Sequence, residues 1–296
     1  MNRQNAGSIV NHIIEWLNKK VEDAKLNGFV VGVSGGVDSA LVSTLCALTK
    51  MKTVCLNMPI SQAPDQFDRA NKHIEWLKVV HENVEGITVD LTRLNDMAIE
   101  AFSPLGITDL AKANTRSRLR MVTLYAVANT NGLLVVGTGN KIEDQILGFC
   151  TKGGDSQVDL SPIGDLLKSE VRELSRFLGI LPELAEAVPT DGLWSDNSHT
   201  DEQQIGASYD ELEKIIPLCE NYSDTGLDGV VLGEDFTAKI LQLNPSLTDR
   251  QREVIGIFFK RHKANRHKME MPPICLIPKE CNPYWGLPSF NLKKGE

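Results

Sequence analysis

The residues best placed to do chemistry are Ser34, Asp38 and Ser39, in the run V-V-G-V-S-G-G-V-D-S-A-L from Val30 to Leu41. Glycines let backbone N–H groups approach an anion closely, and a helix N-terminus adds partial positive charge. The run reads as a phosphate cradle. It is not a G-K-[ST] P-loop, because no lysine follows the glycines. Asp38 stands there instead, which points to a metal ion bridging carboxylate and phosphate. A second loop, G-T-G-N-K-I-E from Gly137 to Glu143, carries a hydroxyl (Thr138), a lysine (Lys141) and a carboxylate (Glu143). Asp38 and Glu143 together supply two oxygen ligands for one Mg²⁺ that also takes phosphate oxygens. Arg116, Arg118 and Arg120 lie two apart in a helical stretch, so they cannot all face one way. One of them is a fair candidate for the phosphate side.

These groups need a scaffold, and the hydrophobic periodicity supplies one. Phe29 to Val33 is a strand, broken by Ser34-Gly35-Gly36, after which Ala40, Leu41, Thr44 and Leu45 recur at helical spacing. Before it, Ile9, Ile13, Ile14, Leu17 and Val21 mark a first helix. Val54 to Met58 predicts a second strand ending at Pro59, followed by a turn over Ser61–Pro64 and a helix over Phe67–Leu77. A third strand is expected at Ile87–Leu91, a helix over Asn114–Asn129 and a strand over Leu133–Gly137, while 92–112 carries no clear pattern. Strands alternating with helices give an α/β fold, a doubly wound parallel sheet with helices on both faces. Ligands in such sheets sit at the carboxyl ends of strands, where the Ser34 loop and Asn57-Met58-Pro59 should meet. Residues 195–209 and 219–234 are polar and glycine-bearing and read as loops that order over substrate. Asp201 and Glu202 before Ile205 make an alternative helix start, and His199 reads as an exposed loop residue.

Composition narrows the function classes. The chain has 296 residues, 42% hydrophobic and 24% charged, as one large α/β domain would. A net charge of −8 argues against a nucleic-acid groove, but a few local cations and oriented amides still suffice for a small anion. The six cysteines form no C-x-x-C pair, and Cys46 and Cys55 lie in apolar stretches as buried thiols. With no signal-peptide pattern and no apolar run of membrane-spanning length, no membrane role and a cytoplasmic location are expected.

The S-G-G-x-D-S run between strand and helix resembles the signature of ATP pyrophosphatases of the adenine-nucleotide α-hydrolase type. The downstream motifs narrow this further. G-T-G-N-K-x-E, G-F-C-T-K-G-G-D, D-L-S-P-I-G-D-L-x-K-S-E-V, P-T-D-G-L-W and T-D-E-Q-Q-I-G-A-S-Y-D-E-L-E resemble NAD synthetases in order and approximate spacing. With N-T-R-S-R-L-R-M and a late R-H-K, the likeness runs from about residue 30 to 272.

The resemblance implies a two-step ligase. The nicotinate carboxylate of deamido-NAD attacks the α-phosphorus of ATP, releasing pyrophosphate, and ammonia then attacks the adenylate to give NAD and AMP. By the same likeness Gly32, Ser34, Gly35, Gly36, Val37, Ser39, Arg118, Thr138, Lys168 and Thr190 contact ATP, with Arg120 the next arginine candidate. Asp38 and Glu143 hold Mg²⁺; Asp38, Lys168 and Asp155 are the catalytic set. Lys152, Asp155 and Asp159 serve the deamido-NAD side, and His267 and Lys268 close over both substrates. It also implies a homodimer with the dinucleotide site at the subunit interface. A single domain without an added glutaminase domain implies free ammonia as nitrogen donor. Two features depart from the family's pattern: T-K-Y-G-D-G is replaced by Thr151-Lys152-Gly153-Gly154-Asp155-Ser156, and about one extra residue lies between Glu143 and Asp155. The competing readings are another ATP-pyrophosphatase amidator and a nucleotide-binding module without turnover. A tRNA-modifying thiolase is disfavoured by the missing C-x-x-C and the acidic charge.

Overall fold

Val30 and Val31 point to opposite faces of one strand, and both are completely buried. That requires helices on both sides of the sheet, and each such side chain contributes roughly 1.5–3 kcal/mol of burial. The computed structural model describes residues 3–62, 64–190, 192–194, 200–220, 234–275 and 277–278. Its strands β1 (Gly28–Gly32), β2 (Lys52–Asn57), β3 (Val84–Thr88) and β4 (Leu133–Val136) form an all-parallel sheet in the order β3-β2-β1-β4. The order reverses between β1 and β4, so the doubly wound architecture holds and the crevice falls at their carboxyl ends.

The helices are α1 (Arg3–Ala24), α2 (Val37–Leu48), α3 (Pro64–Val80), α4 (Thr92–Phe102), α5 (Asp109–Asn131), α6 (Lys168–Phe177) and the short α7 (Pro182–Ala185). After them come α8 (Asp201–Ile205), α9 (Tyr209–Glu220), α10 (Glu234–Leu243) and α11 (Asp249–Met269). On one face, Phe29, Val31 and Val136 pack with Leu17 of α1, Leu41 of α2 and Val171 of α6. Ala70, Ile74 and Leu77 of α3 pack on Val33 and Cys55. On the other face Val30, Val54 and Val135 meet Met121, Leu124 and Ala128 of α5. A π-helical turn, Lys141–Leu147, packs through Ile142, Ile146 and Leu147 on Tyr209, Leu212 and Phe258 of α9 and α11.

Three expectations need correction. The third strand spans Val84–Thr88, not Ile87–Leu91, because this edge strand is only half covered and shows no sharp apolar signal. The misplacement has a cause: Val89 and Leu91 still donate to the Asn57 and Pro59 carbonyls alongside β2. The patternless 92–112 stretch contains α4, whose Leu94 and Met97 face outward instead of the core. The expected 195–209 loop includes α8, capped by the Thr200 hydroxyl on the Gln203 amide, and so takes the alternative helix start. His199, Cys281 and 221–233 of the second loop lie outside the described residues. No helix among the described residues is long and apolar enough to cross a membrane.

Candidate active site

The cradle forms where β1 passes into α2. Gly35 takes φ +85°, and a Cβ there would lie 2.5 Å from the Gln66 carbonyl oxygen, so only glycine lets the turn press against α3. Arg69 Nε secures it by donating to the Gly35 carbonyl at 3.2 Å. Ser39 Oγ accepts from the Ser34 amide at 3.1 Å and donates to the Gly36 carbonyl at 3.0 Å, tying the two ends of the turn together. The first-turn amides of α2, at Val37, Asp38 and Ser39, have no intrahelical acceptor and line the cleft. This is an anion seat built from backbone.

Above it sits a buried charge network. Lys168 is 2% exposed, and its Nζ lies 2.6 Å from Asp38 Oδ2 and 3.0 Å from Glu143 Oε1. Burial pulls this ammonium down, but the two carboxylates more than reverse that and hold it above the ordinary lysine value. Asn140, completely buried, donates to Asp38 Oδ1 at 3.1 Å while its own Oδ1 caps the amides of Ile142 and Glu143. One side chain thus holds the Asp38 carboxylate and the start of the turn that carries Glu143. Tyr209 donates its hydroxyl proton to Glu143 Oε1 at 2.5 Å. Burial, then the charges of Asp155, Glu143 and Asp38, raises the neighbouring Asp144 carboxyl well above the carboxylate range.

Of the candidates from sequence, the cleft brings together Gly32, Ser34, Gly35, Gly36, Val37, Asp38, Ser39, Thr138, Glu143, Asp155, Lys168 and Thr190. Asp155 is held through Oδ1 by the Ser117 hydroxyl and the Thr151 amide, both at 2.8 Å. Gly154 backs onto α5 so closely that a Cβ would lie 2.3 Å from Ser117 Oγ. Thr190 accepts from Gln66 Nε2 at 2.6 Å, linking the wall to α3.

Five candidates are not brought to the cleft lining. Arg118 is exposed on α5 and donates to the Lys152 carbonyl at 3.2 Å, while Arg120, two residues on, lines the cleft. A step of two turns a helix by more than half a circle, so one placement excludes the other. Lys152 is exposed, with Nζ 2.5 Å from the His267 carbonyl. His267 is itself exposed, and Lys268 Nζ donates to the Gly148 and Cys150 carbonyls at 3.0 and 2.9 Å. Asp159 is taken up by β4, accepting from the Val135 amide at 2.8 Å and from the Tyr125 hydroxyl at 3.0 Å. The sequence reading missed Asn140, Gln66 and Tyr209. Asn140 follows a strand end and precedes helical residues, the pattern of a cap, and Tyr209 stands inside the A-S-Y-D-E motif.

Asp38 and Glu143 fit a Mg²⁺ ion: their oxygens already share one cation, Lys168 Nζ. Among the described residues no group of three or more His, Cys, Asp or Glu could hold a metal. Two carboxylates completed by water and substrate phosphate suit Mg²⁺ better than an all-protein cage does.

A family model described as NAD synthase matches residues 9–246. The chain belongs to that family. An NH3-dependent NAD+ synthetase from Methanocaldococcus jannaschii is 35% identical over 273 residues, covering 90% of this chain and 95% of the relative. Among solved structures, an NMN synthetase from Francisella tularensis superposes with a TM-score of 0.71 at 27% identity, covering 93% of this chain and 98% of that one. An NH3-dependent NAD synthetase from Campylobacter jejuni gives a TM-score of 0.68 at 25% identity, covering 93% and 100%. The span matched to the NAD synthase family contains the cradle, both carboxylates and Lys168, and ends before His267 and Lys268.

Proposed function

We propose that this NAD synthase family member is an AMP-forming ligase that adenylates the nicotinate carboxylate of deamido-NAD with ATP and amidates it with free ammonia. The observation that carries the reading is the Asp38–Lys168–Glu143 network standing over the Ser34–Ser39 turn. A carboxylate is a poor acyl donor until its oxygen becomes part of a good leaving group, and nucleotidyl transfer is driven by positioning and charge neutralisation. The cradle amides and serine hydroxyls bind the pyrophosphate end of ATP. Lys168 offsets charge as that pyrophosphate leaves. Asp155, held by Ser117 and the Thr151 amide, takes a proton from the nitrogen that attacks the activated carbonyl. Mg²⁺, when held by Asp38 and Glu143, supplies charge neutralisation on the phosphate oxygens.

The test is one incubation of ATP, Mg²⁺, ammonium and deamido-NAD with NAD and AMP assayed together. Equimolar NAD and AMP are expected; ATP binding without AMP would favour the module that only binds nucleotide. A second reading has specific support from the neighbour called an NMN synthetase: this chain would then take nicotinate mononucleotide as its acceptor. Competition between the two acceptors decides it: the preferred one has the higher kcat/KM.

The exposed apolar residues of α4, the following turn and α5, among them Met97, Leu105, Leu110 and Val122, support a homodimer. The free thiols Cys46 and Cys55, both buried, suit a reducing cytoplasm.

A further inference from the structure

Tyr209 opens α9 and is 2% exposed, in an apolar cluster with Ile205, Leu212 and Phe258. Phenylalanine would fill that place at no polar cost, whereas a buried hydroxyl must be bonded or it destabilises the fold. Its bond runs outward from the cluster. The hydroxyl lies 2.5 Å from Glu143 Oε1, with Asp201 Oδ2 at 3.4 Å, and Lys168 Nζ lies 4.8 Å from the ring centroid. Glu143 Oε1 therefore receives two donors, Tyr209 and Lys168, and among the described residues no donor reaches Oε2. A carboxylate pinned through one oxygen presents the other in a fixed direction.

We propose that Tyr209 is a positioning residue for the divalent-cation site: its hydroxyl fixes the Glu143 carboxylate through Oε1, its ring seats the Lys168 ammonium, and Glu143 Oε2 is thereby offered to the cation. This rests on the reading of Asp38 and Glu143 as cation ligands. It also couples the α8–α11 helices to the phosphate side of the cleft, because Tyr209 is anchored among them.

The experiment is Mn²⁺ binding, followed by electron paramagnetic resonance in the presence of α,β-methylene-ATP, on the full-length wild type, Tyr209→Phe, Glu143→Gln and the double variant. Tyr209→Phe is expected to weaken Mn²⁺ binding about tenfold, as loss of a hydrogen bond to a charged group would. Steady-state assays should show a raised Mg²⁺ requirement with an unchanged KM for the acceptor. In the Glu143→Gln background the same change should have no further effect. A merely structural tyrosine would lower the unfolding midpoint and leave the Mn²⁺ affinity where it was. Undiminished Mn²⁺ binding by Tyr209→Phe, or additive losses in the double variant, would overturn this proposal alone. No Mn²⁺ binding by the wild type would overturn the cation reading and this proposal with it.

Discussion

Lys168 is the residue on which the charge balance turns. Its ammonium separates two largely buried carboxylates, Asp38 and Glu143. Removing one partner of a buried charged set leaves an uncompensated charge and typically costs 3–5 kcal/mol, more than the intact set contributes. Lys168→Met leaves two carboxylates with no cation between them, whereas Asp38→Ala leaves Lys168 still paired with Glu143. We predict that both variants lose AMP formation by at least about a hundredfold, the scale of losing one preorganised electrostatic contact. They should differ in stability. Urea unfolding is expected to show Lys168→Met destabilised by about 3 kcal/mol, and Asp38→Ala by about 1 kcal/mol. Mg²⁺ should restore part of the loss in Lys168→Met only, since a divalent ion can take the lysine's place between the carboxylates. Equal destabilisation, or no rescue by Mg²⁺, would remove the argument.

At the scale of elements, α11 is a brace. Its His262, Asn265 and Lys268 side chains bond the carbonyls of Ile146, Leu147, Gly148 and Cys150, the exit of the turn that carries Glu143. Carbonyls at the end of a helical turn have no partner within it, so the neighbouring helix satisfies them. Lys268→Ala is predicted to lower stability by about 1–2 kcal/mol, measured by thermal unfolding. It should lower kcat while leaving the KM for ATP nearly unchanged. A lysine that reached ATP, as the resemblance implies, would give the opposite split. That contrast shows where sequence stops being legible. The cradle was readable because Phe29 to Val33 is apolar, short and broken by glycines, all local properties. The side on which α11 presents Lys268 is decided by Phe258 and Phe259 packing into another cluster, which no local pattern records. The choice between Arg118 and Arg120 has the same origin in how α5 lies on the sheet. Tyr209 reaches a carboxylate 66 residues earlier in the chain, and nothing in its own neighbourhood announces the contact. The resemblance implies about one extra residue between Glu143 and Asp155 relative to the shorter family members. The π-helical turn offers a place for it, because such turns take one more residue than an α-turn. At Gly153, where the resemblance implies an aromatic, the backbone takes φ +76°, and the nearest neighbour is the exposed Arg118, 3.9 Å from a would-be Cβ.

The whole molecule carries a net charge of −8, yet it exposes an apolar stretch along α4, the turn after it and the outer side of α5. Met97 is 57% exposed, Leu105 75% and Val122 65%, which a monomer of this acidity has little reason to maintain. Solvent-facing apolar residues on α4 also explain why its helical period did not read as a core pattern. A second copy of the chain is the occupant that the family resemblance implies. Such a cover would stand beside α5, whose buried Ser117 holds Asp155 and whose exposed Arg118, one turn before Val122, donates to the Lys152 carbonyl. Lys152 and Asp159, which do not line the ATP cleft within one chain, would then lie near the partner. Val122→Glu combined with Met97→Glu places two like charges on this face of each copy, and like-charge juxtaposition at an interface costs several kcal/mol. Sedimentation at about 10 μM is expected to show a dimer for the wild type and a monomer for the double variant, a shift consistent with an interface energy of roughly 8 kcal/mol or more. In the variant the KM for the dinucleotide acceptor should rise at least about tenfold, while affinity for α,β-methylene-ATP stays as it was, because the Ser34–Ser39 seat is built within one chain. A monomeric wild type would rule out the dimer. A monomeric variant with an unchanged acceptor KM would separate dimerisation from the acceptor site and leave the loop serving its own subunit.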